Sequence, residues 1–118
     1  MKQQIKIGDK LFDVIAVYGE RKEMLNAMRN CLRIKLESDY ETVSTTFVDN
    51  ITYSLISQIE NIDENGNPII ETFEYDKSNY TLACDIVDHR DGTLDVYMCE
   101  MTLEEELLIQ LYSGMEVC

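Results

Sequence analysis

The chain has 118 residues, 45% of them apolar, and a formal charge of −13. That length suits one domain and is too short for two, and the apolar content separates the chain from disordered acidic tails. No apolar run approaches the roughly 20 residues that cross a bilayer, and "MKQQIKIGDKLF" lacks the apolar centre and cleavage site of a signal peptide, so a cytoplasmic protein with no membrane partner is expected.

The charge is unevenly spread. Residues 1–36 hold eight bases and four acids, a balance of +4, whereas residues 37–118 hold two bases and nineteen acids, a balance of −17. No Lys or Arg follows Arg90. Phosphate recognition needs a basic patch, so direct nucleic-acid binding is not expected. The imbalance suits head-to-tail association of a basic face with an acidic one, or an acidic surface that imitates nucleic acid to occupy a basic groove. Its commonest use is simply a solvated surface.

In chain order, "IKIGDKLFDVIAV" reads as a hairpin that turns at Gly8-Asp9. "GERKEMLNAMRNCLRIKLE" is ambiguous. Met24, Ala27, Met28 and Cys31 have helical spacing, which suggests a helix or loop over 21–29, while the alternation of Leu32, Ile34 and Leu36 with Arg33, Lys35 and Glu37 predicts a strand over about 30–37. In "SDYETVSTTFVDN", Ser38 as N-cap and Glu41 three residues on form a capping box, opening a short helix that ends near Asn50 with Tyr40, Val43 and Phe47 on one face.

"ITYSLISQIE" alternates, with Ile51, Tyr53, Leu55 and Ile59 on one side. Asn65-Gly66 marks a hairpin between strands near 52–62 and 69–75, and Pro68 suits the start or edge of a strand. A second hairpin turns at Asp91-Gly92: Tyr80, Leu82, Cys84 and Ile86 alternate before it, and Leu94, Val96 and Met98 after it. The last element is a helix. Thr102 and Glu105 form its capping box, Glu104, Glu105 and Glu106 complement its dipole, and Gly114 ends it. Leu103, Leu107, Leu111 and Met115 form a stripe widened by Leu108, which makes them candidate partner contacts. The fold class expected is α+β in one domain, 1–118: a mostly antiparallel sheet of about six strands, a short middle helix, and the C-terminal helix packed on the sheet.

The triplet His89-Arg90-Asp91 holds the only histidine and matches the catalytic loop of protein kinases. That loop needs an asparagine five positions after the aspartate, where this chain has Val96, and no Gly-rich loop or Asp-Phe-Gly accompanies it. The triplet therefore reads as a hairpin tip. Asp85, Asp88, Asp91 and Asp95 gather near that turn but fit a solvated edge better than a cation site. Asp63-Glu64-Asn65-Gly66 has its glycine too early for a calcium loop. Cys31, Cys84, Cys99 and Cys118 show no metal-ligand spacing and read as free thiols in a reducing cell, with a Cys84–Cys99 bridge as the alternative. No catalytic, cofactor or metal residues are expected, and the chain is not expected to be an enzyme.

The order of elements resembles small proteins encoded in the tail region of siphophages and prophages of Firmicutes. The resemblance lies in the opening "IKIGDKLFDVIAV", the connection into "NAMRNCLRIKL", the helix in "YETVSTTFVDN", and the ending "DGTLDVYMCEMTLEEELLIQLY". It implies a tail or baseplate component or accessory that acts through contacts with other tail proteins or with itself, and an extended rather than helical conformation over 21–29. The alternative from another class is an acidic inhibitor that mimics nucleic acid to block a basic host protein.

Overall fold

The structure is a computed structural model that describes residues 2–116, with side chains described for residues 2–111. Seven strands and two helices occur among the described residues. They are β1 (Lys2–Ile7), β2 (Lys10–Met24), β3 (Ala27–Glu37), α1 (Tyr40–Thr46), β4 (Tyr53–Ile62), β5 (Pro68–Asp76), β6 (Leu82–Asp88), β7 (Thr93–Cys99) and α2 (Leu103–Glu116). All pairings are antiparallel, in the order β5-β4-β1-β2-β3-β7-β6. The α+β expectation therefore holds with one strand more than read from the sequence. Two neighbour relations, β1–β4 and β3–β7, join segments far apart in the chain and leave no local signal.

Residues paired across an antiparallel ladder point to the same face. The inner face carries Ile5, Leu32, Ile34, Leu36, Tyr53, Leu55, Leu94, Val96 and Met98, and Val43 and Phe47, on and just after α1, pack into the same cluster. The Tyr53 hydroxyl donates to the Tyr80 carbonyl at 2.7 Å, tying the β5–β6 connection over this core. The outer face carries Lys2 and Lys6 on β1, Leu11, Asp13, Tyr18, Glu20 and Lys22 on β2, and Arg33 and Lys35 on β3. Neither helix packs along it. At one end of it lies a second, small cluster of Met24, Cys31, Tyr97 and Cys99, with Cys84 against it.

The hairpin expectations hold. β1 and β2 join through Gly8-Asp9, with Gly8 at φ +59°. Between β4 and β5 the Asp63 carboxylate accepts from the amides of Asn65 and Asn67 at 2.9 and 2.8 Å, and Pro68 opens β5 at the sheet edge. The Asp91-Gly92 turn joins β6 to β7.

Several expectations are corrected. Residues 21–29 are extended, not helical: β2 runs to Met24 and reverses through Leu25 and Asn26, at φ +51° and +65°, into β3. The β2–β3 ladder, which continues out to Met24↔Ala27, outweighs the weak helix propensity of this stretch. The N-cap of α1 is Asp39, not Ser38; its carboxylate accepts from the Thr42 amide at 2.7 Å. α1 stops at Thr46 rather than near Asn50, and Tyr40 is exposed although Val43 and Phe47 are buried. In β6 the register shifts between Ala83 and Ile86, so these two meet the main core while Cys84 meets the small cluster, which breaks the simple alternation. Ile59 is exposed, although Tyr53 and Leu55 on the same side of β4 are buried. α2 continues through Gly114 to Glu116.

The cysteine reading also changes. Cys31 and Cys99 sit directly opposite each other on β3 and β7 and are joined by a disulfide, while Cys84 stays free. A pair 68 residues apart becomes adjacent only through the β3–β7 pairing, so neither free thiols throughout nor a Cys84–Cys99 bridge describes the site. Cys118 lies outside the described residues.

The largest correction concerns α2, which packs along no strand and leaves the sheet instead of covering it. The radius of gyration is 17.3 Å, against about 13.5 Å for a compact chain of this length. No helix among the described residues is long and apolar enough to cross a membrane.

Candidate interaction surface

One buried arginine sets the course of α2. Arg29 lies on β3 just past the Leu25-Asn26 turn and is almost wholly buried, and all five of its N–H donors are engaged. Nε donates to the Met24 carbonyl at 2.7 Å and Nη2 to that of Leu25 at 3.2 Å, fixing the turn. Nη1 donates to the Glu100 carbonyl at 3.1 Å and to Glu105 Oε1, and Nη2 donates to Glu105 Oε2 at 2.8 Å, a forked pair with the first turn of α2. The Glu100 amide in turn donates to the Asn30 carbonyl at 2.9 Å, extending the β3–β7 ladder into the linker.

The capping box read from the sequence is present. The Thr102 amide donates to Glu105 Oε1 at 2.8 Å and the Glu105 amide to the Thr102 hydroxyl at 3.2 Å. Arg29 and then Thr102 hold the Glu105 carboxyl down to about 2. The hydrogen bonds to Glu105 raise the Arg29 guanidinium, against the burial that opposes its charge. A buried guanidinium requires such a partner, because an unpaired charge out of water is costly.

This anchor orients the leucine stripe. At about 100° per residue, Leu103, Leu107, Leu111 and Leu108 span one arc whose centre lies about 130° around the axis from Glu105. The side held to the body is thus the side without leucines. Leu103 is 70% exposed, Leu107 54%, Leu108 50% and Leu111 61%. With Glu104, the last three line a shallow apolar groove along the helix. Exposed Ile109 lies on another side of α2 and was not part of the stripe read from the sequence. The side chain of Met115 lies outside the described residues.

The His89-Arg90-Asp91 triplet forms the tip of the β6–β7 hairpin. Arg90 has φ +60° and Gly92 φ +91°, the Asp88 carboxylate accepts from the Arg90 amide at 2.8 Å, and the Asp91 carboxylate accepts from the amide and hydroxyl of Thr93. Those bonds from Thr93 hold the Asp91 carboxyl below the usual carboxylate range. Val96 is buried in β7. His89 Nε2 lies 3.2 Å from Asp95 Oδ2, which Arg33 Nη1 approaches at 3.7 Å. Asp88 and Asp91 thus serve the turn while Asp95 lies buried on the outer side of β7. Among the described residues, no three His, Cys, Asp or Glu side chains converge on a metal-sized site.

Sequence reasoning missed Arg29 because it falls in the stretch read as a helix, where a basic residue is unremarkable. A sharper signal was available in the reciprocal glutamate: a capping-box carboxylate has a lone pair left for a cation, and only a tertiary contact names that cation. The outer face of β1–β3, with exposed Leu11 and Tyr18 among Lys6, Lys22 and Lys35, was also unread. Compared with protein-family models, curated proteins and solved structures, the chain matches none.

Proposed function

We propose that the chain is a non-enzymatic structural or accessory protein of a phage or prophage tail module, acting through contacts with other tail proteins or with itself. The observation that carries this reading is the leucine stripe of α2, turned away from the chain's own sheet and half or more exposed at every described position. Contiguous apolar surface rimmed by acids is characteristic of a protein-contact site. The layout resemblance supplies the tail context. The proposed setting is the host cytoplasm, with incorporation into a virion.

The second reading, an acidic inhibitor that imitates nucleic acid, draws on one region. The β4–β5 hairpin exposes Glu60, Glu64, Glu74 and Asp76, and no base occurs from residue 36 to residue 76. Light scattering of the purified chain, alone and with co-expressed tail-module proteins, at about 50 mM and 500 mM salt, separates the two because the higher salt screens exposed charge within a few ångströms. A defined assembly that persists at high salt supports the tail reading. A chain that binds none of these proteins but displaces DNA from a basic protein, and does so only at low salt, supports the inhibitor and removes the tail reading.

A further inference from the structure

The chain carries two uncovered surfaces of opposite character, α2 and the outer face of the sheet. We propose that α2 of one copy docks on the outer face of β1, β2 and β3 of a second copy, in a head-to-tail contact. This rests on the assembly reading above and specifies the partner as the chain itself.

The outer face has the chemistry that α2 lacks. Leu11 and Tyr18 on β2 are exposed, as is Ile15 at the register shift between them. Lys6 stands directly opposite Leu11, and Lys35 directly opposite Ala16, so bases flank the apolar row. Lys6, Lys22 and Lys35 form no ion pair among the described residues; Lys22 lies over the Tyr97 ring at 4.2 Å. Of the acids of this face, Asp13 pairs with Lys2 at 3.9 Å and Glu20 with Arg33 at 3.0 Å, while exposed Glu37, at the far end of β3, forms no ion pair among the described residues.

α2 is the complement. Its first turn holds Glu104, Glu105 and Glu106, and the helix contains no base. With Glu105 bound to Arg29, Glu104 and Glu106 remain beside the leucines. The lengths also agree. The 14 residues of α2 extend about 21 Å, and the run from Leu11 to Tyr18 covers about 23 Å of strand.

Two other occupants fit worse. The chain's own sheet cannot take the stripe while Arg29 holds Glu105, because that pair turns the leucines outward. A second α2 offers Glu104, which lies within the leucine arc, no base to pair with, and in a parallel pairing sets it against its own counterpart. The contact uses two different patches, so it is heterologous and propagates to a ring or a chain of copies.

The test uses two variants of the full chain in sedimentation and light scattering, with circular dichroism confirming the fold of each. Leu107→Asp with Leu111→Asp disables the helix, and Lys6→Glu with Lys35→Glu disables the face; all four positions are exposed or half-exposed. Each variant alone is expected to self-associate roughly 30-fold more weakly or worse, as for a lost central contact. Mixed in equal amounts, they are expected to form a one-to-one dimer, because one supplies an intact face and the other an intact helix.

A face variant that associates like the parent chain overturns the proposal in favour of helix-to-helix pairing. Two variants that both associate like the parent overturn it in favour of another surface; in either case the assembly reading stands. A monomeric parent that still binds tail-module proteins overturns self-docking alone. A parent that binds neither itself nor those proteins overturns both.

Discussion

β7 and α2 are separated by three residues and have opposite fates. Both are rich in apolar side chains, Leu94, Val96 and Met98 in one and Leu103, Leu107, Leu108 and Leu111 in the other. β7 is buried on both faces: Leu94, Val96 and Met98 join the main core while Asp95, Tyr97 and Cys99 are covered on the outer side. α2 buries none of its leucines. Hydrophobicity therefore does not decide burial here. β7 is enclosed because β3 and β6 flank it and α1 and the small cluster lie on its two sides, whereas the Arg29–Glu105 pair rotates the apolar arc of α2 outward. A strand covered on both faces contributes to stability, while a stripe held in solvent by its pair with buried Arg29 contributes little to it.

That contrast can be tested by substitution. The largest effect falls in β7: Leu94→Ala is expected to destabilise the chain by about 2–5 kcal/mol in urea unfolding, as for a large-to-small change in a closed core. Next is the bridge. Cys31→Ser removes a cross-link that closes a long loop and is expected to cost about 2–4 kcal/mol, with the loss mirrored when the parent chain is unfolded with a reductant present. If the parent under reductant is as stable as the oxidised chain, the bridge holds nothing that the β3–β7 ladder does not already hold.

The attachment of α2 responds to acid. The Glu105 carboxyl is depressed in the folded chain to about 2, below its unfolded value near 4.3, so its contribution is complete above the unfolded value and is lost as the pH falls through the folded one. Amide-exchange protection over residues 100–106, taken relative to the intrinsic rate at each pH, is expected to fall across that interval while β7 remains protected. Glu105→Gln is expected to show the fast exchange already at neutral pH, and slow exchange in that variant would mean that Arg29 does not hold the helix. The smallest effect belongs to the stripe. Leu107→Ala, measured where the chain is monomeric, is expected to change stability by less than about 0.5 kcal/mol. A large loss there would show that α2 packs on its own sheet after all.

Legibility followed the range of the interactions. Gly8-Asp9, Asn65-Gly66 and Asp91-Gly92 all mark real hairpin connections, because turn chemistry is carried by a few neighbouring residues. The Thr102–Glu105 capping box was legible for the same reason, and the stripe Leu103, Leu107, Leu108 and Leu111 falls on the candidate surface. The segment 21–29 misled because helix propensity is weak and the β2–β3 ladder competes with it. Ser38 lost the cap to Asp39 by one residue, since both can accept from the first free amides and the entry angle of the chain chooses between them.

By itself the sequence determined most of the local grammar: which stretches outside 21–29 are strands, where the glycine turns reverse them, how α2 begins and which of its faces is apolar. Only the tertiary structure decided that β3 lies beside β7 and β1 beside β4, that Cys31 meets Cys99, that the outer face is left without a helix, and that Arg29 reaches across to Glu105. Apart from the uncovered face, each of those is a contact between residues more than 40 positions apart. Contacts of that kind are fixed by how whole elements stack into one sheet, and no window of neighbouring residues contains them.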